Sequence, residues 1–337
     1  MRGRVMVLVA ALGVVVAACG SAGPAPGTGG GTASTRSPSS SVASTGSSAP
    51  GSSVPGQGTA ERFPLSVDTP KGRVTVEARP GRIVSLSPTA TEMLFAIGAG
   101  SQVVAVDADS DYPPSAPRTK LSGLQPSIEA IASYHPDLVV ASNDISGLFS
   151  QLAIVKITAL LEPAATRLGD TYHQIHQLGV VTGHVAAADA LVARMRRQIA
   201  AALAKVHATS PPLTYYYELD PTYYTVTSGT FVGSLLQMAG LRDIAGSGQG
   251  SNDYPQLSAE KIIQSNPDLV FLADTICCKQ SAATVAARPG WSGMTAVRDG
   301  EVVALNDDVA SRWGPRVVDL VDAIVKAVTG APVPAGS

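Results

Sequence analysis

The chain has 337 residues, of which only 15% are charged; 24 Lys and Arg against 26 Asp and Glu leave a net charge of −2. That balance gives no basic footprint for nucleic acid. The length allows two lobes of ordinary size once a leader and a polar stretch are set aside. Aromatics make up 5%, yet nine of the sixteen are tyrosines, which carry an apolar face and a polar tip.

Residues 1–19 read as a lipoprotein signal peptide. Arg2 and Arg4 supply the positive end, and residues 5–18 form an apolar run. The run is short for a membrane span, which needs about 20 residues. It closes on Val16-Ala17-Ala18-Cys19, which resembles a bacterial lipobox with Cys19 as the lipidated residue. Residues 20–60 are nearly all Gly, Ser, Ala, Pro and Thr. Such a stretch buries too little apolar surface to offset its ordering entropy, so it reads as a disordered tether. These two segments predict a protein exported and held at the outer face of the cytoplasmic membrane by lipid alone.

Residues 61–183 are expected to form an N-terminal lobe. A short β lead-in spans 63–78, and residues 82–86 form the first core strand. Ser87-Pro88 opens a helix that Gly98 closes. The turn between carries Ser87, Thr89, Thr91 and Glu92, hydroxyl and acid groups placed to line a cleft at the C-terminal edge of a parallel sheet. Residues 102–106 form the second strand. A polar loop follows with Asp111-Tyr112-Pro113-Pro114, whose prolines hold the Tyr112 ring in one direction. Residues 138–141 form the third strand, 147–153 a short helix and 155–160 a fourth strand. Residues 170–182 form a helix that Gly183 ends.

Residues 184–209 are expected to form a bridging helix. Leu191, Val192, Met195, Ile199, Leu203 and Val206 fall on one face of it. A single long helix between two αβ halves acts as a rigid spine. Residues 210–330 form the C-terminal lobe. Its strands are expected at 213–218, 269–273 and 301–304, with an extended stretch at 225–227. Its helices are expected at 228–238 and, opened by Pro315, at the C-terminus.

One unit is written twice. Ser127-Ile-Glu129 leads through a short helix to Pro136-Asp-Leu-Val, and Ser258-Ala-Glu260 leads in the same way to Pro267-Asp-Leu-Val. Each serine is a helix N-cap, each glutamate sits in the first turn where the helix dipole favours it, and each proline stops the helix before a buried strand. The duplication predicts two lobes of similar design. The fold class is therefore α/β: two Rossmann-like lobes with parallel-rich sheets, joined by one long spine helix.

Enzyme signatures do not appear. There is no G-x-S-x-G elbow, P-loop or dinucleotide fingerprint. Only His173 and His176 share a helix face, and two histidines without a third ligand make a poor metal site. No catalytic residue, resident metal or cofactor is expected. Cys277 and Cys278 are adjacent; in an exported protein a strained vicinal disulfide and two free thiols both fit the sequence.

Several segments, in order, carry a resemblance to a known family. They are Ile83-Val-Ser-Leu-Ser-Pro-Thr-Ala-Thr-Glu92, Asp111-Tyr-Pro-Pro114, the Ser-Ile-Glu129 unit, Thr227-Ser-Gly229, Tyr254-Pro-Gln-Leu-Ser-Ala-Glu260 and Arg312-Trp-Gly-Pro-Arg316. Together they resemble the class III solute-binding proteins of ABC importers, which capture iron–siderophores, haem and vitamin B12. The resemblance implies that Glu129 and Glu260 dock onto the importer permease. It implies ligand contacts at Tyr112, Tyr254, Asp308 and Arg312, with Tyr224 and Trp313 as further walls. The expected partners are the permease and one iron chelate or tetrapyrrole, bound by a monomer. No cluster of cleft arginines awaits a highly anionic catecholate or citrate chelate, which favours a hydroxamate- or mycobactin-like siderophore, haem or a cobamide; an iron–siderophore or haem is taken as the leading ligand. A cobamide is the close alternative, and a cell-envelope scaffold or sensor is the rival from another class.

Overall fold

A computed structural model describes residues 62–246 and 252–332. The signal peptide, Cys19 and the tether lie outside the described residues. β1 (Leu65–Thr69) and β2 (Gly72–Val76) form the antiparallel lead-in. β3 (Ile83–Leu86), β4 (Val103–Asp107), β5 (Arg118–Leu121), β6 (Leu138–Ala141) and β7 (Ala159–Leu161) make a parallel sheet in the order β5-β4-β3-β6-β7. β8 (Thr214–Glu218), β9 (Arg242–Asp243), β10 (Leu269–Leu272) and β11 (Val302–Ala304) make a second parallel sheet in the order β11-β10-β8-β9.

The helices cover the sheets. In the first lobe α1 (Pro88–Ala96), α2 (Ile128–Ala132) and α3 (Leu148–Ile154) alternate with the strands. α4 (Leu168–Thr182) and α5 (Val185–Leu203) are joined at Gly183, whose φ of 74° suits a residue without a Cβ, and pack along each other. The second lobe adds α6 (Phe231–Met238), α7 (Ala259–Ser265), α8 (Ala282–Ala286), α9 (Thr295–Arg298), α10 (Asp307–Ser311) and α11 (Val317–Gly330). The fold is thus the expected α/β arrangement, with two parallel sheets and α5 as the spine between them.

Strand alternation sorts the core into three layers. Leu138 and Val140 face one side of the first sheet, and Val139 and Ala141 face the other. In the second sheet Tyr215, Tyr217, Leu269 and Phe271 face inward, while Tyr216, Val270 and Leu272 face out toward Trp291. The inward faces share one continuous core with α1, α4, α5, α6 and α11. α5 buries Ala188, Leu191, Met195, Ile199 and Ala202, spaced three or four apart, and packs on both α4 and α11. The lobes therefore share apolar packing along the spine. A second contact between them, at the C-terminal ends of the strands, is polar.

Local differences from expectation have local causes. β5 reads Arg-Thr-Lys-Leu, too short and too charged to show an apolar alternation, and β9 has two residues. The strand expected from 155 starts at Ala159, because Val155 caps α3 and Lys156 takes a φ of 58°. The extended stretch at 225–227 joins neither sheet; the amides of Thr225 and Thr227 donate to the carbonyls of Pro255 and Asp253. The helix expected from 228 starts at Phe231, since the Thr230 side chain accepts from the Gly233 amide as its N-cap. α5 runs Val185–Leu203 and stops short of the residue 209 expected.

Candidate functional site

The C-terminal ends of the two sheets meet around Glu92. Its side chain is only 1% exposed and is gripped by two guanidiniums from the other lobe. Arg312 Nη1 donates to Glu92 Oε1 at 2.9 Å, and Arg316 donates through Nε and Nη2 at 2.9 and 2.5 Å. Arg312 follows α10 and also reaches Asp308 at 2.7 Å, Asp111 at 3.0 Å and the Asp109 carbonyl at 3.1 Å. Bonding to Glu92 holds Arg316 above its ordinary value. Burial pushes Asp308 up, with Arg312 opposing. Burial also pushes on Asp111, but the Arg312 bond and charge outweigh it and leave that carboxyl lowered.

One tyrosine stacks on this polar contact. Tyr112 is exposed, and its ring lies 4.3 Å from the Arg316 guanidinium carbon, a cation–π geometry. Tyr224 pairs with Gln256 in an isolated antiparallel bridge, and Tyr254 lies two positions before Gln256. Both rings are exposed. A recess of about 390 Å³ runs from Tyr112 and Pro113 past Glu92 and Arg316 to Leu191 and Met195 on the spine. The structure thus brings Tyr112, Asp308 and Arg312 into one network and places Tyr224 and Tyr254 as a neighbouring pair on the second lobe.

The two glutamates of the duplicated unit occupy matching places. Ser127 caps α2 by accepting from the Ala130 amide, and Ser258 caps α7 by accepting from Lys261. Glu129 and Glu260 are each the second helical residue, and both are exposed. The bond from its own backbone amide, with Ser258 second, lowers the Glu260 carboxyl. The correspondence runs on. His135 and Asn266 take φ values of 47° and 43° just before the prolines. Asp137 then accepts from the Gly81 and Arg82 amides, and Asp268 from the Thr214 amide, so each ties down the start of the neighbouring strand.

Comparison with known proteins adds to this geometry. The periplasmic binding protein family profile matches residues 83–309. The chain belongs to that family. A cobalamin-binding protein of Halobacterium salinarum is 34% identical over 268 residues, covering 76% of this chain and 72% of that one. An uncharacterized ABC transporter substrate-binding lipoprotein of Bacillus subtilis is 28% identical over 278 residues, covering 80% and 86%. The crystal structure of the periplasmic vitamin B12 binding protein of Vibrio cholerae shares the fold with a TM-score of 0.64 at 24% identity, covering 74% of this chain and 97% of that one.

Within this periplasmic binding protein, three expectations need correction, and one alternative left open by the sequence is resolved. Arg312 does not wait free for a ligand; three carboxylates and a carbonyl already occupy it. Trp313 is half-buried and turns to α4, where its Nε1 donates to Gln174 Oε1 at 2.9 Å, so it packs the lobe junction rather than walling a ligand site. The hydroxyls after β3 face inward: Ser87, Thr89 and Thr91 are buried, and Thr91 bonds Ser85 and Ser110. Cys277 and Cys278 are free thiols, not a disulfide. Their turn is fixed instead by Asp307, which accepts the Ile276 and Cys277 amides, while the Asp274 carbonyl accepts the Cys278 amide.

In this network Arg316 is not singled out from the sequence, and Glu92 reads there as lining a cleft rather than as a contact between lobes. A signal was available: Glu92 is the only charge in α1, between residues that helical spacing would bury. Buried acids also stand at the strand ends of both sheets. Burial raises Asp107 to about 6 and Glu162 to about 8. In the second lobe Arg288 forks onto Glu218 at 2.6 Å through both Nη atoms, and the adjacent Asp274 has neither oxygen hydrogen-bonded. Among the described residues no cluster of three His, Cys, Asp or Glu side chains is arranged to hold a metal ion, and no helix is long and apolar enough to cross a membrane.

Proposed function

We propose that this chain is the lipid-anchored, extracytoplasmic substrate-binding component of an ABC importer, and that its ligand is a corrinoid. The carrying observation is the state of Arg312. With Arg316 it makes two guanidiniums facing three carboxylates, Glu92, Asp111 and Asp308. The contact offers no spare positive charge, so a ligand rich in carboxylates or catecholates meets repulsion at its edge. A bulky ligand of low net charge that stacks on tyrosines does not. This reverses the order expected from the sequence, which put iron chelates and haem ahead of cobamides. The cobalamin-binding name of the 34% identical relative points the same way.

Enclosure between the lobes supplies affinity, and no bond is made or broken. Glu129 and Glu260 are the docking points for the permease: two exposed carboxylates, each fixed at a helix start, one on each lobe. Cys19 carries the anchor. The test is uptake of radiolabelled cyanocobalamin by cells with and without the gene. Loss of uptake on deletion, restored by the wild-type gene, supports the reading. Unchanged corrinoid uptake alongside impaired uptake of a ferric chelate overturns it.

A further inference from the structure

We propose that Glu92 is a positioning residue that locks the two halves of the ligand site in register before any ligand arrives. The proposal rests on the cleft reading for where a ligand sits, and not on which ligand it is. Glu92 stands on α1 of the first lobe, and both guanidiniums that hold it come from the second. From that one buried carboxylate two short chains lead to residues that face the cleft. Through Arg316 it reaches the ring of Tyr112, back on the first lobe, at 4.3 Å. Through Arg312 it reaches Asp308 on the second lobe at 2.7 Å and Asp111 on the first at 3.0 Å. One cleft residue from each lobe is therefore two links from the same atoms.

The space around the pair is fitted to it. Gly314 lies between the two arginines, and a Cβ there would stand 3.3 Å from Glu92 Oε2 and 3.6 Å from Thr89 Cγ2. A larger residue would push the lobes apart at this point. A buried ion pair adds little net stability over an apolar contact, but it accepts only one geometry. Its use here is to fix how the lobes meet. The shared apolar core along α5 keeps them joined, and Glu92 sets the angle at the polar contact that borders it. Release then requires the permease to break five charge-assisted bonds, three to Glu92 and one each to Asp111 and the Asp109 carbonyl.

Trp313 gives a readout that needs no ligand, because it sits between the arginines and reaches Gln174 across the junction. The other tryptophan, Trp291, is fully buried and is replaced in a Trp291→Phe parent. In that full-length parent, Glu92→Gln should leave the far-UV circular dichroism unchanged, red-shift the Trp313 emission and raise its quenching by acrylamide. Cyanocobalamin should then dissociate about 30-fold faster or more, with little change in association, as for loss of one partner of a buried charge pair. Arg316→Lys keeps the charge but loses the fork, and should shift both readouts the same way by less. If Glu92→Gln does not fold, Arg316→Lys decides. Unaltered emission and quenching in the folded variants overturns the proposal, as does an unchanged dissociation rate. If the parent binds no cyanocobalamin, the corrinoid reading fails and the emission alone judges the lock.

Discussion

Replacing Asp274 by asparagine should make the protein progressively more stable than wild type as pH rises from about 4 to 7. The Asp274 side chain is fully buried beside Glu218, and neither of its oxygens has a hydrogen-bond partner among the described residues. Arg288 is committed to Glu218 by its fork. Burial, then the Glu218 charge, pushes the Asp274 carboxyl to about 7 from an ordinary 3.8. Between those values the folded chain holds a proton that the unfolded chain has released. Folding stability therefore falls with rising pH across that window and levels above it. Roughly three pH units at ~1.36 kcal/mol each cap the effect at about 4 kcal/mol. An asparagine side chain has nearly the same size and does not ionise, so Asp274→Asn removes this pH dependence. Urea unfolding of both proteins at several pH values from about 4.5 to 8 spans the window set by linkage and gives the difference directly. A stability difference that is constant across that range would refute the reasoning.

Other outcomes follow from the same geometry. Glu129→Arg with Glu260→Arg should leave ligand affinity intact and abolish uptake, since both carboxylates are exposed at helix starts and neither is among the partners of Arg312; normal transport by the double variant would remove their docking role. Gly233→Ala should destabilise the fold by about 1–3 kcal/mol of overpacking and lower the urea midpoint, because its Cβ would clash with the Thr227 carbonyl oxygen. Reduction should leave the mass of the mature protein unchanged, as two free thiols require; a gain of two hydrogens would restore the vicinal disulfide.

The duplicated unit made the two-lobed fold readable. Ser, Glu, Pro and Asp act there through local chemistry, as caps, dipole partner, helix stop and strand tie, so their roles survive in the bare sequence. The spine was readable because Leu191, Met195 and Ile199 keep helical spacing along it. The lobe contact was not. Glu92 and Arg312 lie 220 positions apart, and only folding brings them together. The family resemblance assigns Arg312 to the ligand, and the sequence shows its charge without showing its partners. Trp313 was misplaced for a related reason: an aromatic beside a cleft arginine faces the junction once Gln174 on α4 is opposite it. β5 and β9 carried no pattern, being edge strands of four and two residues.

The most direct test is an equilibrium titration of the intact protein against cyanocobalamin, haemin and a ferric tris-catecholate, followed by tyrosine and tryptophan emission. Saturable, tight quenching by the corrinoid, with weak or no response to the two anionic ligands, is the expected result. Preferential binding of either anion would contradict a lobe contact whose two guanidiniums, Arg312 and Arg316, are already taken.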